Sequence, residues 1–338
     1  MKLVYKDFSS QLLKWHKKNG RFFLPWVRIN DPYKIWVSEV MLQQTQVKTV
    51  LRYYSKFIQK FPTIESLAIS KQESVLKYWE GLGYYRRAIN LHDSAKVIIK
   101  KHNGVFPNNF DDLITLKGVG KSTANAILIF GFGKKLAILD ANVKRVIKRV
   151  LNIKSRSKLD NEKFLWIQSE KLLPNFRIKD YTQALMDFGS LICKPINPKC
   201  TKCDFNKLCK YKFSVIKSQK VIKDVNKVCI IFEYRNNYLV FKNNDGLFIG
   251  LYAIDLVDKN EAELFIKNKI RTDHILTSKK IKTINITISN KKMTIDLIVI
   301  EISTTNDLEN FKMVSKTSPI EKNIPIPIFA KKILEKLH

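Results

Sequence analysis

No stretch of the 338-residue sequence approaches eighteen consecutive apolar residues, and its start, MKLVYKDFSSQLLKWHKK, has no apolar signal core. A membrane-spanning helix and a secretory leader are both disfavoured, and a soluble, cytoplasmic protein is expected. Acidic side chains are scarce: 30 Asp and Glu stand against 61 Lys and Arg, a formal net charge of +31. The imbalance is uneven, with 39 basic and 16 acidic residues in 1–210 but 22 and 14 in 211–338. Lysine and arginine displace counterions condensed on phosphates, so a DNA or RNA surface is expected mainly in the first part. A general bias toward Lys, Ile and Asn gives part of the same excess, so charge alone names no function.

A second absence concerns LKGVGKSTANAIL, residues 116–128, which looks at first like a nucleotide-binding phosphate loop. That loop needs a glycine where Thr115 stands, and it must follow an apolar strand. Here FDDLITL precedes it and reads as a short helix. The alternative is a helix–hairpin–helix: helix 110–115, a tight KGVG turn, and a second helix from about Lys121. Gly118 and Gly120 let the backbone approach a phosphate, and free N–H groups at the start of the second helix bind it. Such a hairpin grips DNA backbone without reading sequence, and Lys121 is expected to contact a phosphate. An ordinary helix–turn–helix connection accounts for the same letters less specifically.

With 45% apolar residues the chain can bury a sizeable core and is expected to form two domains, with no internal repeat. Residues 1–210 read as an all-α domain. DPYKIWVSEVMLQQ opens with Asp31 as N-cap and Pro32 at the first helical position. SKQESVLKYWEGLG opens with the capping-box pair Ser70 and Glu73 and stops at Gly81. Apolar residues recur at helical spacing in LRYYSKFIQKF, ANVKRVIKRVL and YTQALMDFGSLIC. A Lys-rich, glycine-free linker follows at 211–226. In 227–338 the runs KVCIIFEY, YLVFKN, KTINITIS and MTIDLIVIEI are strand-like, and FAKKILEKL closes the chain as a helix, giving an α+β domain.

Four of the five cysteines, Cys193, Cys200, Cys203 and Cys209, fall within seventeen residues with no histidine among them. In a reducing compartment this spacing points to a four-thiolate metal centre, and spacing alone does not separate zinc from an iron–sulfur cluster. Cys229, alone on a strand, reads as a core residue. Two carboxylates stand out. Glu39 lies on an otherwise apolar helix face, just before Gln43, Gln44, Thr45 and Gln46, and Asp140 ends the apolar run LAIL and begins the helix ANVKRV. A solvated or paired helical acid and a helix N-cap are the plainer roles for the two.

Taken together, PWVRINDPYKIWVSEVMLQQTQV, WEGLGYYRRAINL, LKGVGKSTANAIL, LDANVKRV, QALMDFGSLIC and the cysteine loop resemble the helix–hairpin–helix DNA glycosylases and, among them, the A/G-specific adenine glycosylases. The resemblance runs from about residue 10 to the final helix. It implies two helical lobes with a cleft between them, a [4Fe-4S] cluster on Cys193, Cys200, Cys203 and Cys209, and a monomer that acts on double-stranded DNA containing adenine opposite 8-oxoguanine or guanine. The base must leave the stack before its glycosidic bond can be reached.

By the same resemblance, Glu39 is the acid that protonates the purine, Asp140 stabilises the oxocarbenium-like sugar, and Asn142 helps to position these groups. Ser122 stands where strand-cleaving relatives carry a Schiff-base lysine; a hydroxyl cannot form an imine, so base removal without efficient strand cleavage is expected. Leu42, Gln44 and Tyr84 correspond to duplex-wedging residues, Asp187 to an acidic residue that contacts adenine, and Trp26 to a residue of the DNA and base site. Val27 departs from the Arg or Gln often found beside the adenine. The second domain resembles the family's Nudix-like recognition domain without a Nudix catalytic box. Its lesion loop is best matched by Ile288-Ser289-Asn290, in which Ser289 remains but the family histidine is missing. A thymine or uracil glycosylase for G mismatches and a non-enzymatic DNA-binding protein are the competing readings.

Overall fold

The computed structural model describes residues 2–153, 158–207, 209, 211, 223–246, 248–288, 291–317 and 324–337. Two compact units emerge, one of residues 1–68 and 93–218, the other of 69–92 and 219–338. Compactness therefore divides the chain differently from its composition, because residues 69–92 group with the carboxy-terminal strands and not with the helices around them in sequence. Most of the 211–226 linker, residues 212–222, lies outside the described residues.

The helices are α1 Lys2–Asn19, α2 Pro32–Leu42, α3 Val47–Lys60, α4 Ile64–Ala68, α5 Gln72–Trp79, α6 Arg86–His102, α7 Phe110–Ile114, α8 Lys121–Phe132, α9 Ala141–Val150, α10 Lys158–Lys171 and α11 Ile178–Leu191. Helix α2 begins as its sequence dictates: Pro32 supplies the first-turn φ, and Asp31 accepts from the N–H groups of Tyr33 and Lys34. Its residues Ile35, Trp36, Val37 and Met41 are all buried. One core of the first unit joins Phe8, Leu12 and Trp15 of α1 to Ile147 of α9 and Tyr181 and Phe188 of α11. Each such side chain contributes about 1.5–3 kcal/mol on burial. Phe205, from the cysteine loop, is fully buried against Phe8 and Phe188, which ties that loop to the core.

In the second unit the strands β1 Lys223–Tyr234, β2 Asn237–Lys242, β3 Tyr252–Ala253, β4 Asp255–Asp258, β5 Ile275–Ile288, β6 Lys291–Ile302 and β7 Phe311–Ser315 form one sheet, joined by α12 Ala262–Lys269 and α13 Ile328–Glu335. The order is β3-β2-β1-β6-β5, with β4 on β1 and β7 on β2; β1 and β6 are parallel and the other pairs antiparallel. Alternate residues of β1 enter different cores. Cys229 and Ile231 pack with Ile333 and Leu334 of α13, and Val228, Ile230 and Phe232 pack with Ala262 of α12. Cys229 is the expected core residue, with no exposed surface.

Helix α5 is anchored into this unit. Glu73 accepts from the Tyr252 hydroxyl at 2.8 Å and from the Lys312 ammonium at 3.0 Å. Glu80 pairs with Lys77 and Lys331. The expected capping box is not formed, because Lys71 is the N-cap and makes no side-chain cap bond. The Glu73 carboxylate is drawn instead to partners far along the chain, which hold it below the ordinary carboxylate range although burial opposes this. Among the described residues no helix is long and apolar enough to cross a membrane.

Candidate active site

Helices α2, α8, α9 and α11 of the first unit border a cleft of about 1110 Å³, lined by Trp26, Val27, Glu39, Leu42, Gln44, Ser122, Asp140 and Asn142 among others. This exceeds the roughly 300–1,000 Å³ of small-molecule sites. The two candidate carboxylates thus reach one space from elements a hundred residues apart. Glu39 is carried on the apolar helix α2 and is only partly accessible. Desolvation, followed by the nearby negative charge of Asp140, pushes its carboxyl up to about 8, so at neutral pH it is mainly protonated.

Asp140 is the N-cap of α9, its Oδ1 accepting from Val143 N–H at 2.7 Å. Burial pushes its carboxyl above the usual value, while hydrogen bonds from Val143 and Asn142 and the charge of Arg145 pull it down. The capping role and a catalytic role are therefore compatible, since one oxygen serves the helix and the residue still faces the cleft.

Arg145, which sequence reasoning missed, organises the neighbourhood. Its guanidinium donates to Asn142 Oδ1 at 2.8 Å, to Gly189 O at 2.6 Å and to Cys193 O at 2.7 Å. One turn on, Arg149 donates to Lys194 O at 2.7 Å and lies 3.5 Å from Cys193 Sγ. The i, i+4 spacing of two arginines on α9 was the available signal, since both face the start of the cysteine loop. Among the described residues no three His, Cys, Asp or Glu side chains converge tightly enough to hold one metal ion. Cys193, Cys200, Cys203 and Cys209 are nonetheless close enough to influence one another's ionisation, and burial pushes the Cys203 thiol up to about 11.

The hairpin is formed as expected, with α7 and α8 joined by a turn in which Gly118 has φ +80°. Gly120, the N-cap of α8, has an ordinary extended backbone, and a Cβ there would meet nothing within 4 Å. Neither strain nor internal packing requires glycine at 120. Gln43, also missed, donates from Nε2 to Gly118 O at 3.2 Å and ties the end of α2 to the turn. Lys121 does not line the cleft, and its ammonium sits 4.1 Å from the centre of the Trp166 ring. Ser122 does line it, and its hydroxyl accepts from Leu139 N–H at 3.1 Å.

Gln44 and Tyr84 share an uncommon backbone, φ +56° and +51°, with exposed side chains. Non-glycine residues in the left-handed region are a few per cent of cases and collect at functional sites. Trp26 is buried edge-on against Tyr54.

Asp187 has no exposed surface and is not part of the cleft wall. Its oxygens accept from Arg21 N–H at 2.9 Å, the Arg21 guanidinium at 2.7 Å and Gln183 Nε2 at 2.9 Å, with His16 Nε2 3.5 Å away. Burial alone would raise its pKa, but the His16 and Arg21 interactions hold it low. Of this cluster His16, Arg21 and Gln183 line the cleft, and Asp187 lies behind them. Ser289 and Asn290 lie outside the described residues.

With this geometry in place, known proteins supply the family. An adenine DNA glycosylase of Buchnera aphidicola subsp. Baizongia pistaciae is 42% identical over 255 residues, covering 73% of this chain and 72% of that protein. The chain belongs to the adenine DNA glycosylases. The model of the HhH-GPD superfamily of base excision DNA repair proteins matches residues 37–169, which include Glu39, the hairpin and Asp140. The human adenine DNA glycosylase is 38% identical over 223 residues, 63% of this chain and 40% of that one. Among solved structures, a thermostable thymine-DNA glycosylase aligns with TM-score 0.56 at 34% identity, over 61% of this chain and 95% of that chain. An endonuclease III in a non-covalent DNA complex aligns with TM-score 0.54 at 25% identity, over 62% and 95%. The helical part of the chain, residues 69–92 included, therefore has the helix–hairpin–helix glycosylase fold, and the enzyme binds DNA and hydrolyses the N-glycosidic bond of adenine.

Proposed function

We propose that the enzyme excises adenine mispaired with 8-oxoguanine or guanine, acting as a monofunctional glycosylase in the cytoplasm, as a monomer. The observation that carries the reading is the pair Glu39 and Asp140 in one cleft, one held protonated at neutral pH and the other capping a helix beside Asn142 and Arg145. Glu39 donates a proton to a ring nitrogen of the extruded adenine, which makes the base a neutral leaving group. Asp140 stabilises the positive charge that develops on the sugar, by its field or by transient attachment, as the second carboxylate of a retaining glycosidase does. Asn142 orients Asp140. Ser122 provides no amine, so the strand is left intact after the base departs.

Gly118, Gly120 and the start of α8 hold a backbone phosphate, and Lys121 adds positive charge near it without entering the cleft. Leu42 and Gln44 fill the stack that the extruded nucleotide leaves, Trp26 walls the base pocket, and Tyr84 is a further duplex-wedging residue. Asp187 supports recognition indirectly by fixing Arg21.

Cys193, Cys200, Cys203 and Cys209 are the ligands this reading gives to a [4Fe-4S] cluster: four thiols with no histidine among them, near enough to influence one another's ionisation. Those four cysteines would hold the cluster, which would brace the loop between them, and Arg145 and Arg149 fix the start of that loop through Cys193 O and Lys194 O. The second unit serves as a Nudix-like lesion-recognition domain, and its mixed, two-faced sheet supports that reading.

Single-turnover excision on duplexes carrying A opposite 8-oxoguanine, A opposite G, and T or U opposite G tests the proposal. Release of adenine from the first two is expected. Release of thymine without adenine assigns the enzyme to the sister activity.

A further inference from the structure

The segment 133–140, which delivers Asp140, has no regular secondary structure, yet Ala137, Ile138 and Leu139 are buried. Buried backbone groups outside a helix or sheet must find partners elsewhere. Side chains from two helices meet them in consecutive residues. Asn125 of α8 donates from Nδ2 to Ala137 O at 2.7 Å, and Ser169 of α10 donates from its hydroxyl to Ile138 O at 2.8 Å. Ser122 of α8 accepts from Leu139 N–H at 3.1 Å. The next residue is Asp140, whose side chain caps α9.

Asn125 and Ser169 are 5% and 2% exposed, and neither lines the cleft. Neither can touch a substrate, and a polar side chain that is fully buried in a helix is costly unless its hydrogen bond is needed. We propose that Asn125, Ser169 and Ser122 form a clamp that fixes the register of Ala137–Asp140 and so sets the position of the Asp140 carboxylate in the cleft. They are positioning residues, and the inference rests on the assignment of Asp140 above. The clamp works because each bond fixes a different peptide unit. An extended segment without ladder bonds has two soft dihedrals per residue, and three successive anchors leave little freedom at the fourth. For Ser122 this gives the hydroxyl a second task besides withholding an amine.

The test is single-turnover excision with enzyme in excess, alongside duplex affinity and thermal melting, for Asn125→Leu, Ser169→Ala and Ser169→Thr. Because misplacing a reacting group by about 1 Å costs up to roughly 100-fold, the first two are expected to lower the excision rate roughly 10- to 100-fold with duplex affinity almost unchanged. Ser169→Thr, which keeps the hydroxyl, is expected to restore the rate. Ile64→Val, a buried change on α4 away from the cleft, controls for general destabilisation. If Ser169→Ala excises at the rate of that control, or if threonine does not rescue it, the clamp is overturned; should Asn125→Leu not fold, the Ser169 pair decides alone. Asp140→Asn separates the two levels. If it retains excision, the assignment of Asp140 and the clamp fall together, and if it is inactive while the Ser169 variants keep the control rate, only the clamp falls.

Discussion

Glu39 and Asp140 face one cleft but are carried by opposite kinds of structure. Glu39 rides on α2, a regular helix whose start is fixed by Asp31 and Pro32 and whose apolar residues are buried on nearly every side. Its position follows from helix geometry, and its unusual protonation follows from that apolar setting. Asp140 ends an irregular segment whose backbone has no ladder to lean on, and side chains from α8 and α10 hold it. A regular element positions a group through its own repeat, while an irregular one needs outside partners. The second kind permits a carboxylate to sit at a helix N-terminus, where hydrogen bonds to N–H groups favour the charged form.

The largest effects are expected where the two carriers deliver chemistry. Glu39→Gln should reduce single-turnover excision on the order of 10²–10⁴-fold, since it removes the proton donor. Asp140→Asn should reduce it on the order of 10²–10³-fold while leaving the fold intact, because asparagine caps a helix about as well as aspartate. If Asp140→Asn unfolds the protein, the carboxylate is chiefly structural and the contrast between the carriers breaks.

Next comes the pH dependence. In the folded protein Glu39 holds its proton up to about pH 8, against a reference value of 4.5. The folded state therefore binds the proton more tightly than the unfolded one, so its contribution to stability is complete below about 4.5 and is lost as pH rises to about 8. Glutamine does not titrate. Melting curves should show Glu39→Gln gaining on the parent enzyme progressively between about pH 5 and 8, and the parent's excision rate should decline above about pH 8. A pH-independent difference in melting temperature would remove the protonated-acid role.

Smaller effects test the carriers themselves. Asp140→Ala should cost about 1 kcal/mol of stability in denaturant titrations beyond the loss shown by Asp140→Asn, as removal of an N-cap does. Gly118→Ala, at φ +80°, should cost about 1 kcal/mol and weaken duplex binding by distorting the hairpin, read by titration with an undamaged duplex.

Much of this was legible beforehand. The N-cap of α2, the hairpin glycines, the helix after Asp140 and the main strands are local features, encoded by residues a few positions apart. What escaped shares one property. Arg145, Gln43, Asn125 and Ser169 act on backbone atoms between 12 and 75 positions away, and a backbone acceptor leaves no letter in the sequence. Asp187 was legible as an important acid but not as a buried one, because Arg21 and His16 come from the far end of the chain. Glu73 reads locally as half of a capping box, yet Tyr252 and Lys312 claim it, since a hydroxyl and an ammonium offer stronger bonds than a backbone N–H near solvent.

The sequence alone determined the helical character of the first unit, the hairpin, the strands of the second unit and the identity of two chemically apt carboxylates, because periodicity, caps and turn residues act over short range. Only the tertiary structure decided that the charge of Asp140 adds to the desolvation of Glu39, that Asp187 lies buried behind Arg21, that residues 69–92 belong with the second unit, and that LAIL is a clamped irregular segment. Those outcomes depend on desolvation and on hydrogen-bond partners distant in the chain, neither of which a single window of sequence contains.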